Sequence, residues 1–332
     1  MNIVEISKKY GTRAKCYRYL EKLRWGRGKP VCPYCGSKHT VKLKVESFRH
    51  HCYNCRKSFS VTVGTIFEDS RLPLPKWFVI AGLITNAKQG ISAKEIERNI
   101  GVTYKTAWYS AMRVRCAMID NCNIELENIV EMDESYVGGK PRKRNKKATN
   151  EPENKPTVSA SSIENKRGRG TRKTPVVGIV ERKGKIVLKV IEKLTSKNLM
   201  AMLNSFVKTE DATLMTDEYR GYAKMDEIIE HFTINHSEKE YVRGAIHTNT
   251  VEGFWNILKN SIKGNYIKVS KKYLPLYLIQ SQYLYNHRNF KGDLFEKLIK
   301  EALKHDVSDY MEDYKPIKEV KKLVYEKCKK TK

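Results

Sequence analysis

The sequence predicts an α/β fold, a mixed sheet flanked by helices, preceded by a small metal-stapled ribbon and a helix-turn-helix module. Three observations predict it. Two Cys-x2-Cys pairs stand sixteen residues apart, two amphipathic helical patterns meet at a glycine, and a run of strand patterns is interrupted by one helical pattern. The expected domains are a helical segment over 1–30, the ribbon over 31–66, the helix-turn-helix region over 67–124, a catalytic α/β domain over 125–290 with a basic insert at 140–173, and a basic tail over 291–332.

The first element is a short helix from about Gly11 to Leu23, with Cys16, Tyr19, Leu20 and Leu23 on one side. The ribbon follows. Cys32 and Cys35 form the first pair and Cys52 and Cys55 the second, a spacing suited to a tetrahedral four-thiolate zinc site. Gly36 sits where a knuckle turn needs a permissive backbone. Residues 41–45 and 48–51 alternate as a hairpin does. A ribbon this small cannot bury enough apolar surface alone, so zinc would supply folding energy. His50 and His51 read as hairpin residues, because four cysteines already close the tetrahedron. Cys16, Cys116, Cys122 and Cys328 lack ligand spacing and read as ordinary thiols.

Past the proline-punctuated RLPLPKW, a helix is expected from Trp77 to about Ala87. Ser92-x-x-Glu95 is a capping box that opens the next, which Gly101 stops. Thr103 or Tyr104 starts a longer helix. Two helices joined by so short a turn make a helix-turn-helix pattern, with Tyr104, Lys105 and Thr106 placed to meet base edges. A plain helical hairpin is the competing reading, as a purely structural ribbon is for the zinc module.

Residues 129–137 read as a strand. From Lys140 to Lys173 there are twelve basic and three acidic residues with few large apolar ones, the pattern of an insert or loop. PVVGIVE and KIVLKVIE are strands joined by a turn. A helix is expected over 196–209, then the strand ATLMT, the short strand HFTIN, and a helix from about Thr250 to Ile262. This element order is that of an RNase H-like fold.

That order matters because of three acids. Asp133 lies in the first strand of the domain, Asp217 at the end of the fourth, and Glu252 on the later helix. Lys259 follows Glu252 by seven residues, and seven steps of about 100° return a side chain to within about 20° of its starting face. Carboxylates are the ligands hard divalent cations prefer, and two such ions can drive an in-line displacement at a phosphodiester. Lys259 is placed to touch a phosphate, while His247 and Asn249 lie just upstream. Structural readings compete at each position: Glu252 as the third residue of a capping box begun by Asn249, Asp217 as a helix cap, His247 as a packing residue. A carboxylate within an apolar strand is costly without a partner, which makes Asp133 harder to explain structurally. Glu131, Glu134 and Glu218 are rival acids, although strand alternation sets Glu134 opposite Asp133.

The formal net charge of +27 over 332 residues points to a polyanionic partner. No apolar run approaches the roughly 18 residues of a membrane span, and MNIVEISKKYGTR has no signal-peptide stretch. A location in the cytoplasm with the nucleoid is expected, or in the nucleus for a eukaryotic host.

The motifs LRW, CPYCGS, CYNCRKSFSVTVGTIFEDSRLPLPKW, GVTYKTAW, MDESYVGGK, KRGRGTRKTPVVG, TDEYRGY and HTNTVEGFWNILK together resemble the zinc-ribbon insertion-sequence transposases with an ISXO-like DDE domain, relatives of the Merlin elements. The likeness runs from about Tyr17 to Arg288. It implies an RNase H-like core, two magnesium or manganese ions held by Asp133, Asp217 and Glu252, and action on terminal inverted repeats and target DNA by a homodimer or larger assembly. Relatives vary at the third acidic position, which brings His247 and Asn249 into consideration. The alternative is a DNA-binding regulator or domesticated transposase without strand-transfer activity.

Overall fold

The computed structural model describes residues 1–44, 48–119, 124–138, 173–234 and 247–304. The expected basic insert up to residue 172, the chain beyond 304 and the thiols Cys122 and Cys328 lie outside these residues.

Two helices open the chain. Asn2 and Glu5 form a reciprocal capping box at the start of α1 (Ile3–Tyr10), and Thr12 caps α2 (Arg13–Trp25). The sequence reading anticipated only the second. The ribbon is a three-stranded antiparallel sheet of β1 (Thr40–Lys42), β2 (Arg49–Cys52) and β3 (Ser58–Ser60). Cys32, Cys52 and Phe59 form its small core against Trp25. His50 is buried there and pairs with Glu21 of α2 at 3.2 Å, as a packing residue and not a ligand.

Next come α3 (Leu74–Asn86), α4 (Ala93–Ile100) and α5 (Tyr104–Ala117). Pro75 is tolerated in the first turn of α3, where no intrahelical donor is lost. The Ser92 side chain accepts from the N–H of Glu95, and the Thr103 side chain from that of Thr106. Gly101 ends α4 in the left-handed region (φ 62°), which a side chain would resist. The second half of α5 is wholly buried, so only its first two turns face outward.

The large sheet has the order β6-β5-β4-β7-β8, from β4 (Leu126–Val137), β5 (Thr174–Glu181), β6 (Ile186–Val190), β7 (Val207–Asp217) and β8 (Glu230–Ile234). The first three strands are antiparallel neighbours, while β7 runs parallel to β4 and β8 parallel to β7. The parallel step requires a crossover, supplied by α6 (Ser196–Phe206). That helix was expected to reach Thr209. It stops at Phe206 because Val207 already pairs with Leu126 in the sheet.

Strand alternation gives the sheet two apolar faces. Met132, Val177 and Ile179 pack with α6, whereas Val176, Val180 and Leu188 pack with α7 (Asn249–Asn260) and α8 (Leu274–Asn286). Between α7 and α8 the chain makes a wider π-type turn, Ser261–Tyr266. The expected tail over 291–332 begins instead with a core element. In α9 (Leu294–Ala302), Phe295, Leu298 and Ile299 are buried against the N-terminal helices. Among the described residues, no helix is long and apolar enough to cross a membrane.

Candidate active site

Among the described residues, two groups of side chains can hold a metal ion. In the ribbon, the sulfurs of Cys32, Cys35, Cys52 and Cys55 lie within 4.8 Å of one another. The Cys32–Cys55 and Cys35–Cys52 separations are both 3.6 Å. A tetrahedron with Zn–S bonds of about 2.3 Å has edges of about 3.8 Å, so the donors fit zinc as they stand. The Cys52 thiol is lowered to about 7, chiefly by the backbone N–H of Cys55, which favours the thiolate a metal needs.

The second group lies at the sheet's centre. Carboxylate oxygens of Asp133, Glu134 and Asp217 gather within 4.8 Å of one another. Asp133 and Asp217 come together because β4 and β7 are parallel neighbours, which brings their C-terminal ends to one edge. Asp217 is oriented by the N–H of Tyr219, which donates to its Oδ1 at 3.1 Å. Asp133 pairs with Gly178 across the sheet, and the Trp255 ring lies over that glycine, where a Cβ would meet it at 3.0 Å. The missing side chain lets the indole Nε1 donate to Asp133 Oδ2 at 2.9 Å. Burial, then the charges of Glu134 and Asp217, push the Asp133 carboxyl up to about 7, partly offset by the backbone N–H of Glu134 and then by the indole. Carboxylates this close repel one another, a repulsion that a divalent cation relieves.

Glu134 is the acid that sequence reasoning set aside. Alternation does hold: Glu134 leaves β4 on the α6 face, where Tyr222 Oη donates to its Oε2 at 3.0 Å. Its carboxylate nonetheless reaches the other two. Alternation fixes where a side chain departs, and a glutamate near a strand's end is long enough to turn toward the edge. Tyr222 is fully buried and its hydroxyl is held well above its ordinary range, by burial first and then by these three carboxylates, so it stays a donor.

Glu252 does not join that group. It is exposed on the first turn of α7 and accepts from Thr248 Oγ1 at 3.2 Å. Lys259 is exposed two turns further on. Trp255, one turn after Glu252, ties the helix to Asp133. Asn249 is exposed and does not cap the helix, contrary to the capping box considered above. Thr248 occupies the cap position, and the first N–H groups are met from outside the helix. Glu131, wholly buried, accepts from the N–H of Thr250 at 2.8 Å and of Val251 at 3.0 Å, from Thr250 Oγ1 at 2.8 Å and from Arg182 Nε at 2.7 Å. A carboxylate at a helix N-terminus is favoured by the helix dipole. His247 belongs to this cluster: its carbonyl oxygen accepts from Arg182 at 2.7 Å and its ring nitrogen lies 3.4 Å from Glu131. No sequence signal links Glu131 to Arg182, because their pairing depends on the register of β4 and β5.

Comparison with known proteins agrees with this anatomy. Residues 125–286 match the model of the ISXO2-like transposase domain, and residues 11–58 match that of the transposase zinc-ribbon domain. The chain is also 29% identical over 307 residues to a protein of Halobacterium salinarum described as an uncharacterized protein in transposable element ISH50, covering 90% of this chain and 96% of that relative. With both modules matched in the order their motifs imply, the chain carries a transposase zinc ribbon followed by an ISXO2-like transposase domain.

Proposed function

We propose that this transposase binds the terminal inverted repeats of its element, cleaves their DNA strands and joins the freed 3′-hydroxyls to target DNA through an RNase H-like core. The observation that carries the reading is the convergence of the half-buried carboxylates of Asp133, Glu134 and Asp217 at one sheet edge. Two magnesium or manganese ions, when bound, activate the attacking oxygen and stabilise the leaving one. Asp133 and Asp217 are the principal ligands in this reading, with Glu134 beside them. Glu252 is the third acid of the family pattern, one helical turn from the indole that holds Asp133. Lys259 contacts a phosphate, Asn249 is presented to DNA on the same helix, and His247 acts through the Glu131–Arg182 cluster.

Recognition falls to the N-terminal modules. Tyr104, Lys105 and Tyr109 are exposed at the start of α5, with the Lys94 ammonium 5.5 Å from the Tyr104 ring. On the ribbon, Tyr34 and Tyr53 are exposed and Lys57 lies 4.9 Å over the Tyr34 ring. Basic groups on phosphates set register, and a few side chains read bases. Joining two element ends calls for a dimer or larger assembly on DNA. The intact acids argue against a regulator that no longer cuts.

The test is incubation with labelled element ends, with and without magnesium. Wild type should nick and join them only with the metal. Asp133→Asn should bind the same ends almost as tightly and cut none, and equal cutting by both proteins would reject the site.

A further inference from the structure

We propose that the loop after α7 is a DNA wedge, with Ile267 as the side chain inserted between adjacent base pairs. The inference rests on the reading of Asp133 and Asp217 as a strand-cleaving site, and adds to it a second point of contact with the duplex.

Charge comes first. Between Glu252 and Asp293 there is no acidic residue, while seven are Lys or Arg. Lys259, Lys263, Lys268 and Lys271 are exposed around the loop. Such a surface is matched by a phosphate backbone.

Ile267 stands in that basic field with 82% of its surface exposed, the most of any large apolar side chain among the described residues. Its φ is +59°, a region that β-branched residues rarely enter. Glycine would occupy the position without strain and without exposing apolar surface. An isoleucine there combines two costs, and strained backbone persists only where its surroundings impose it.

The surroundings do impose it. The Tyr266 ring packs against Tyr277 at 4.6 Å, with the Arg115 guanidinium 5.5 Å away. Asn265 Nδ2 donates to the carbonyls of Gln89 at 3.0 Å and Gly90 at 3.1 Å, in the connection between α3 and α4. On the other side, Val269 packs against the apolar clusters of α7 and α8. The chain is thus held on both sides of one residue, and the positive φ turns that residue outward. A lone apolar tip on a rigid, basic base is the design of side chains that unstack a base step and bend the duplex. A membrane surface would call for a broader apolar face.

Location gives a further expectation. Trp255 touches Asp133, and Ile267 comes twelve residues later. At 1.5 Å per residue this is at most about 18 Å, because the π-type turn Ser261–Tyr266 rises less per residue than an α-helix. The opened step should therefore lie within about five base pairs of the phosphate at the acids.

The test uses the full chain and duplexes from the DNA flanking its gene, each carrying a single 2-aminopurine at successive positions. Wild type should raise the fluorescence at one step. Ile267→Ala should lose that rise and bind on the order of tenfold more weakly, about 1.4 kcal/mol. Ile267→Gly should unfold no earlier than wild type and also lack the rise, which separates a wedge from a folding defect. A wild-type complex with no rise at any position, or variants that keep it, overturns the wedge and leaves the DNA-cutting reading standing. A wild type that binds none of these duplexes overturns both.

Discussion

Replacing Glu131 tests how the helix that bears Glu252 is held. The side chain is fully buried and joins Arg182 to the first turn of α7 through four hydrogen bonds of 2.7–3.0 Å. Glu131→Ala takes the carboxylate from the mostly buried Arg182 guanidinium, which keeps its bond to the His247 carbonyl, and leaves two helix N–H groups unmet. Removing one partner of a buried pair costs about 3–5 kcal/mol. Glu131→Gln keeps the shape, and its amide oxygen can still accept from Thr250 or Val251. Its NH2, however, meets the donor of Arg182, so a loss of about 2–3 kcal/mol is expected, the worth of one hydrogen bond to a charge. Against this stand Val251, Phe254, Trp255 and Leu258, buried on the same helix. At about 1.5–3 kcal/mol each they contribute roughly 6–12 kcal/mol. Packing wins: α7 stays docked in the glutamine variant while its first turn loosens. Urea unfolding measures the free energies, and a cycle with Arg182→Met should show coupling of about 0.5–3 kcal/mol. An alanine variant within about 1 kcal/mol of wild type would refute this account.

Two further outcomes follow from the metal groups. Because the Asp133 carboxyl is pushed up to about 7, cation binding there must release a proton. Apparent affinity for magnesium or manganese should rise up to tenfold per pH unit below about 7 and level off above it. For the metal-free protein the sign is opposite. A raised carboxyl favours the folded state when protonated, and that contribution is lost as pH climbs from about 4 toward 7. Calorimetric titrations at several pH values check the first point, and a flat affinity profile would refute it. In the ribbon, Cys52→Ser should lose the bound zinc and loosen the core around Phe59. Zinc content by mass spectrometry reads this directly, and an unchanged stoichiometry would exclude the four-cysteine site.

Legibility in the sequence followed the range of the forces involved. The cysteine pairs could be read because thiolate coordination needs those atoms at that spacing whatever surrounds them. Ser92, Gly101 and Thr103 could be read because caps and left-handed turns are settled within a few residues. Helix α9 looked like part of a basic tail because its apolar stripe acquires meaning only against α1 and α3, about 290 and about 220 residues earlier. The end of α6 was misjudged because partner strand β4, and not local propensity, claims Val207.

The acids of β4 show what the sequence pattern could not decide. Glu131 and Asp133 leave the same strand toward the same face, two residues apart, and as a pattern they are interchangeable. Their neighbours distinguish them. Glu131 meets a guanidinium and a helix N-terminus, so its charge is balanced within the protein and it serves to position α7. Asp133 accepts from the indole and from the backbone N–H of Glu134, and faces two more carboxylates that raise its carboxyl. Carboxylates crowded against one another favour an external cation. This difference, and not the mere presence of carboxylates in a strand, supports the proposed roles of structure for Glu131 and chemistry for Asp133. Glu134, grouped with Asp133 and Asp217, joins the proposed site by proximity although its strand position points it elsewhere.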